Sequence, residues 1–320
     1  MNARPFFLPR ASLGLSFDAT KKDAGVGEGF LDGRAGLAGR IAVVIGGGGG
    51  IGRAVSLGLA GAGIDLALCD IDAEALSATG QDIRAMGRKV VALPADATVA
   101  AELSAFYDAV EREFGGIDIL VNVAGGTKRT AFMESGPEVW AAEIHRNYGY
   151  VIESVHRAVP LMLARGGGSI VNFTTVEAHR GAATFAVYAG AKAGLTNFTR
   201  ALAVELGAAN IRVNTLAPDS TPSQGNMNAI SPELRERIMA ATPAQHAGGR
   251  GMYIPMGRAA SVDDLANGVL FLVSDLARSI TGTTLHIDGG TFAAAGFVNW
   301  PDGLGYLPAP FAEPLAKLFP

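Results

Sequence analysis

One cysteine stands in 320 residues. With no partner for Cys69, an internal disulfide and a thiolate zinc cluster are both excluded. Long apolar runs are missing as well. The hydrophobic fraction is 49% and the mean hydropathy +0.26, yet glycine or charged residues interrupt every run. None reaches the roughly 20 residues that a membrane-spanning helix needs. Nor is there excess positive charge: a net charge of −4 and a pI near 5.8 leave no broad basic field for nucleic acid. Near the amino terminus the only apolar stretch is Phe6-Phe7-Leu8, too short for a signal-peptide core. A soluble cytoplasmic protein is expected. His145, His156, His246 and His286 show no metal-ligand spacing with one another or with acids, so no metal site is expected.

What the chain does have is alternation. From about residue 40, short β-type runs at 41–45, 64–69, 90–93, 117–122, 169–173, 211–216 and 284–287 are separated by helical patterns. These lie near 51–62, 73–86, 98–114, 137–164, 185–208 and 262–277. Several of the strands are apolar on both faces, as strands covered by helices on each side must be. Strand–helix alternation of this kind predicts an α/β single domain with a doubly wound parallel sheet of about seven strands and helices on both faces. Residues 1–39 break the pattern and read as an extension, disordered or wrapping the domain. The segment 218–257 is long and irregular, with one or two short helices around 232–241, and loops of that length are often lids or binding loops. The tail 292–320 carries Phe292, Phe297, Trp300, Tyr306, Phe311 and Phe319, a load that predicts packing on its own pocket or on a neighbouring subunit.

Two features carry chemistry. Gly46 to Gly50, followed by Ile51 and Gly52, sit between the first strand and a helix. Glycines let a backbone approach a pyrophosphate, and the helix N-terminus supplies free N–H groups. About 20 residues on, the second strand ends in Asp70, where an acid can bind the adenosine ribose hydroxyls and repel a 2′-phosphate. Gly49 offers no basic side chain to offset it, and Arg53 is expected to face solvent or pair with an acid, so NAD is favoured over NADP. The second feature is Tyr188 and Lys192, four residues apart and so on one face of a helix. A cation about 4 Å from a phenol is worth about 4 kcal/mol at an effective dielectric of about 20. The expectation is a tyrosine whose pKa falls by about 3 from its usual 10 or so.

The glycine pattern Gly46, Gly50 and Gly52, the Asn122-Val123-Ala124-Gly125 turn and the Tyr188/Lys192 pair together resemble the short-chain dehydrogenase/reductase family. The resemblance spans about 40–291, ends in Ile287-Asp288-Gly289-Gly290, and implies a nicotinamide-dependent oxidoreductase on a Rossmann-type sheet. It implies four catalytic residues. Tyr188 is the general acid/base, and Lys192 lowers its pKa and binds the nicotinamide ribose. Thr175, where the family usually has serine, polarises the substrate oxygen, and Asn147 holds a water relaying protons to the lysine. Alternation turns the neighbouring Thr174 the other way. Along the cofactor it places Gly46, Gly50, Ile51, Gly52, Asp70, Asp96, Ala97, Asn122, Ala124, Gly125, Tyr188, Lys192, Pro218, Asp219 and Thr221, with Asp96 at the adenine. Three further departures stand out. Ile45 replaces a threonine and Val123 an asparagine, each removing a polar brace, and Asp219 replaces a glycine near the expected nicotinamide.

Substrate-pocket candidates are Phe132, Met133, Glu177, His179, Phe185, Val187, Met227, Met252 and Tyr253. Most are large and apolar, so a bulky hydrophobic secondary alcohol or ketone is expected as the small-molecule partner. Two other readings stay open: an NADP-dependent reductase of 3-oxoacyl thioesters, and a dinucleotide-binding sensor without catalysis. The resemblance also implies a homo-oligomer, a dimer or more commonly a homotetramer, packed through the helices near 137–164 and 185–208.

Overall fold

A computed structural model describes residues 29–219, 221–222, 232–241, 243–300 and 305–308. The expected extension 1–39 is therefore visible only from residue 29, where a short helix α1 (Phe30–Ala35) precedes the first strand. Met227, Phe311 and Phe319 lie outside the described residues.

The sheet strands are β1 (Ile41–Ile45), β2 (Asp65–Asp70), β3 (Val90–Pro94), β4 (Ile119–Asn122), β5 (Gly168–Phe173), β6 (Ile211–Pro218) and β7 (Thr284–Ile287). They form one parallel sheet in the order β3-β2-β1-β4-β5-β6-β7. Alternate residues of β1 feed two separate cores, Val43 and Ile45 on one face, Ala42 and Val44 on the other. Helices α4 (Ala100–Phe114), α6 (Tyr150–Leu163) and α7 (Ala186–Leu206) cover the first face. The second is covered by α2 (Gly50–Gly61), α3 (Ala73–Ala85) and α10 (Val262–Val273). Burial on both faces is why the strands read as apolar runs rather than as alternating ones.

Strand order reverses between β1 and β4, which parts the loops at their carboxyl ends and opens a crevice there. Two details differ from the expected elements. The pattern at 137–164 is α5 (Pro137–Ile144) and α6 joined by a π turn, His145–Gly149, which holds Asn147. The irregular segment contains α8 (Pro232–Ala240) and also α9 (Pro243–Tyr253). Beyond the short α11 (Thr291–Ala294), strands β8 (Phe297–Trp300) and β9 (Gly305–Pro308) form an antiparallel hairpin, and β8 packs against α9. The start of the tail thus folds back on its own chain.

Candidate active site

The glycine run is shaped by contacts that leave no room for side chains. Gly46 has φ +82°, and a Cβ there would meet the Ala124 backbone nitrogen at 2.8 Å; one on Gly52 would lie 1.7 Å from the Gly46 carbonyl. The loop closes onto β4 as the amides of Val123 and Ala124 both donate to the Ile45 carbonyl at 3.0 Å. α2 begins behind it with Gly49 as N-cap and no side-chain cap, so its first-turn N–H groups face the crevice unclaimed by the helix. A Cβ on Gly49 would meet nothing within 4 Å, so the mouth of this turn is open. Donors of this kind fit the pyrophosphate of a dinucleotide. The expected missing brace is corrected here. With Ile45 buried in the core, Ser56 Oγ reaches the Gly47 carbonyl at 3.3 Å and Thr79 Oγ1 donates to the Gly48 carbonyl at 2.8 Å.

Asp70 ends β2 against this loop, its Oδ2 accepting from the Gly48 amide at 2.9 Å. Arg53 is turned away, donating to Thr79 Oγ1 at 2.9 Å and pairing with Asp82 at 2.6 Å. Asp96, beyond β3, accepts from the amide and hydroxyl of Thr98, and Ala97 beside it is buried. Asn122 behaves differently from the expectation that it lines the crevice. Its side chain is 1% exposed; Nδ2 donates to Asn172 Oδ1 at 2.8 Å, and Oδ1 accepts from Ser154 Oγ at 2.9 Å. Asn172 continues to Thr199, and Ser154 pairs with Tyr107. This buried chain props the floor under the loops, and sequence reasoning missed it because each member alone is an ordinary core polar residue.

Lys192, Asn147 and Gly125 converge. A Cβ on Gly125, whose φ is +147°, would meet Asn147 Oδ1 at 2.7 Å and Lys192 Nζ at 3.3 Å. Asn147 is held by the π turn, a feature common at functional sites. Its Oδ1 accepts from the Gly126 amide at 2.9 Å, while Nδ2 donates to the carbonyls of Gly126 and Glu143 at 3.0 and 2.9 Å. Only the second lone pair of Oδ1 stays available. Lys192 is 3% exposed and donates to the Phe173 carbonyl at 2.8 Å, and burial lowers its pKa from 10.5 to about 8. Thr174 points into α7, toward Thr196 and the Lys192 carbonyl, whereas the Thr175 hydroxyl donates to Glu177 Oε2. The expected acidic tyrosine is reversed: burial and the charge of Glu177 hold the Tyr188 phenol above its ordinary range, against a hydrogen bond shared with Thr175 and the charge of Arg129.

A charged cluster joins this centre to the substrate loop. Arg180 donates to Glu177 Oε1 at 2.9 Å, to Asp219 Oδ2 at 3.2 Å and to the Tyr253 hydroxyl at 2.5 Å. Asp219 Oδ2 also accepts from Tyr253 at 2.7 Å and from Thr291 Oγ1 at 2.6 Å. Pro218 is half-buried and Thr221, whose amide donates to the Asp219 carbonyl, is buried. Arg180 was not among the expected site residues; its spacing of three from Glu177 was the available signal. Phe185 packs on Tyr188 with ring centres 6.0 Å apart and lies under Arg129 at 5.0 Å, and Phe132 stacks on Trp140. His179 packs on His286 and Phe292, and Val187 and Met252 are half-buried. Met133 is 89% exposed. The mouth therefore has a polar wall where a mostly apolar pocket was expected.

A family model described as enoyl-(acyl carrier protein) reductase matches residues 46–291. The chain belongs to the short-chain dehydrogenase/reductase family. Among curated relatives, 3-oxoacyl-[acyl-carrier-protein] reductase of Staphylococcus aureus (strain Mu50) is 34% identical over 252 residues, 78% of this chain and 97% of that protein. The 2,3-dihydro-2,3-dihydroxybenzoate dehydrogenase of Bacillus subtilis (strain 168) is 34% identical over 256 residues, 80% and 97% of the two chains. Among solved structures, carveol dehydrogenase from Mycobacterium avium in complex with NAD superposes with a TM-score of 0.73 at 29% identity, covering 80% of this chain and 98% of that one.

As a short-chain dehydrogenase/reductase, the chain is an oxidoreductase acting on CH–OH groups. Among its described residues no helix is long and apolar enough to cross a membrane. Two of its departures from the family pattern, Thr175 and Asp219, are the two ends of the Glu177–Arg180 bridge.

Proposed function

We propose that this protein interconverts a secondary alcohol and a ketone with NAD, using Tyr188 as general acid/base. The observation that carries the reading is the convergence of Asn147, Lys192 and Gly125 beside the opening between β1 and β4. Asp70 supports NAD, since its carboxylate stands at the end of β2 and Arg53 is engaged by Asp82. The carveol dehydrogenase complex with NAD supports it too. The amides at the start of α2 hold the pyrophosphate, Asp70 the adenosine ribose and Lys192 the nicotinamide ribose. When bound, the dinucleotide donates or accepts the hydride.

The chain's own residues handle the proton. In its neutral form Tyr188 gives a proton to the substrate oxygen in reduction; in oxidation it first passes its own proton toward Lys192 and then, as phenolate, takes the carbinol proton. Thr175 Oγ1 donates to the same oxygen. Lys192 restores the phenol, and protons reach it through a water on the free lone pair of Asn147 Oδ1. The substrate lies between an apolar wall, with Phe185 and Phe132, and the polar wall of Glu177, Arg180 and Asp219, so it is a bulky, mostly apolar molecule with a polar edge. Exposed Ile144, Ile152, Leu163 and Val204 on α5, α6 and α7 support a homo-oligomer; a monomer by light scattering at micromolar concentration contradicts it.

Tyr188→Phe tests the chemistry. Turnover of an alcohol panel, followed by reduced-cofactor absorbance, is expected to fall at least a hundredfold with NAD affinity unchanged. Full retained activity ends the assignment. A second reading, reduction of a 3-oxoacyl thioester, is favoured by the 34% identity to the S. aureus reductase. Faster turnover of an acetoacetyl thioester with NADPH than of any alcohol with NAD would select it.

A further inference from the structure

The strongest unassigned feature is the carboxylate of Glu177, and the inference from it rests on the roles just proposed for Thr175 and Tyr188. A threonine hydroxyl has one hydrogen to donate. In this structure Thr175 gives it to Glu177 Oε2, whereas in the working site the same hydrogen goes to the substrate's reacting oxygen. Each use excludes the other. Glu177 is held in place, its Oε1 accepting from Arg180 and its side chain only 13% exposed. Its contact with the Thr175 hydroxyl sets it beside the reacting position.

A substrate that takes the hydrogen of Thr175 leaves Glu177 Oε2, a largely buried carboxylate oxygen, short of a donor, which is unfavourable. Arg180 is already spread over Glu177, Asp219 and Tyr253. A plain alcohol or ketone cannot make good the loss. Thr175 Oγ1 and Glu177 Oε2 are in hydrogen-bond contact, close enough for hydroxyls on neighbouring carbons to meet one each. A second cation in this space would meet Arg180, and a second carboxylate would meet Glu177 and Asp219. A neutral hydroxyl donor meets neither objection.

We propose that Glu177 is a specificity-determining residue that accepts a hydrogen bond from a hydroxyl on the carbon next to the reacting one, making vicinal diols and α-hydroxy ketones the substrate class. In oxidation the carbinol C–H bond breaks with both electrons, the hydride passing to the oxidised dinucleotide. The carbinol proton goes to the Tyr188 phenolate, whose own proton has left by way of Lys192, C=O forms, and the second hydroxyl is unchanged; reduction is the reverse.

The test compares cis- and trans-cyclohexane-1,2-diol with cyclohexanol in the full-length protein. The better diol isomer is expected to exceed cyclohexanol in kcat/KM by roughly 10- to 100-fold, the range of a hydrogen bond to a charged group. Glu177→Ala brings that ratio close to one, and Glu177→Gln, which keeps size and an acceptor, falls between. Calorimetric titration of the diol into protein preloaded with NADH, where no hydride can move, reads binding alone; Glu177→Ala is expected to weaken it at least tenfold. A ratio and an affinity that neither substitution alters, or a wild type that prefers cyclohexanol, overturns the assignment of Glu177 while Tyr188 chemistry stands. Turnover surviving Tyr188→Phe, or none with any of these alcohols, overturns both.

Discussion

Lys192 is a buried ammonium with one identified acceptor, and that makes its removal informative. Its pKa falls from 10.5 to about 8 because burial disfavours the charged form. At about 1.4 kcal/mol per pH unit, the folded protein is destabilised by about 3 kcal/mol while lysine is protonated in both folded and unfolded states. Below about pH 8 the whole effect is present. From about 8 to 10.5 the folded state sheds the proton first, the unfolded state binds more protons, and stability rises with pH. Above that window the effect is gone. Lys192→Met removes the charge but takes the donor from the Phe173 carbonyl, a loss of about 1–3 kcal/mol. Near pH 7 the variant should therefore be equal to wild type or up to about 2 kcal/mol more stable, although inactive. By pH 10 it should be less stable, the difference having moved by about 2–3 kcal/mol. Urea denaturation without dinucleotide, at fixed protein concentration and several pH values, reads this directly, because other titrating groups cancel between the two proteins. A difference that does not change with pH refutes the claim that lysine is charged at a cost in this pocket.

Four further substitutions follow from geometry. Gly52→Ala drives a methyl into the Gly46 carbonyl 1.7 Å away, whereas Gly49→Ala meets nothing within 4 Å; calorimetry should find NAD binding abolished and stability lowered by at least about 2 kcal/mol in the first, and thermal stability unchanged in the second. Asp219→Ala takes away the acceptor shared by Arg180, Tyr253 and Thr291, so it should destabilise by about 1–3 kcal/mol and speed amide exchange in α9. Uniform exchange across the chain would argue against a local tie. Asp70→Ala removes the carboxylate at the end of β2 and should lower the NAD-to-NADP preference in kcat/KM at least tenfold, and a preference that stays put would remove Asp70 as its origin.

Much of the fold was legible because the signals were redundant. Every expected sheet strand is present within two residues of its sequence limits, since a strand buried on both faces has to be apolar throughout. The β8–β9 hairpin was not legible, because its residues carry no alternation and its existence depends on packing against α9. For the site, spacing alone placed Tyr188 and Lys192 on one helical face, but it could not say which charges reach the phenol. Those come from Glu177 and Glu143, which raise its pKa, and from Arg129, which lowers it. Proximity along a helix is local, whereas a pKa sums burial and charge over everything that packs around the group.

The polar braces fail to show in the sequence for a related reason. Ile45 and Val123 look like losses only if the brace must come from those positions. The physical requirement is different: the carbonyls of the glycine loop need donors, and the turn after β4 needs to be held against β1. Ser56 and Thr79 supply the first from α2 and α3. The second comes from the Tyr150 hydroxyl on the Ala124 carbonyl at 2.7 Å and from the Asn147 amide on both polar groups of Gly126. None of these four residues adjoins the position it replaces, so the glycine motif and the turn after β4 do not reveal them as braces. Asp219 obeys the same logic in reverse. In sequence it is only a departure near the expected nicotinamide, whereas in the structure its oxygen is bound by Arg180, Tyr253 and Thr291. A carboxylate so engaged ties Arg180 to α9 and α11, a role that three contacts distant in sequence create and that no single position could announce.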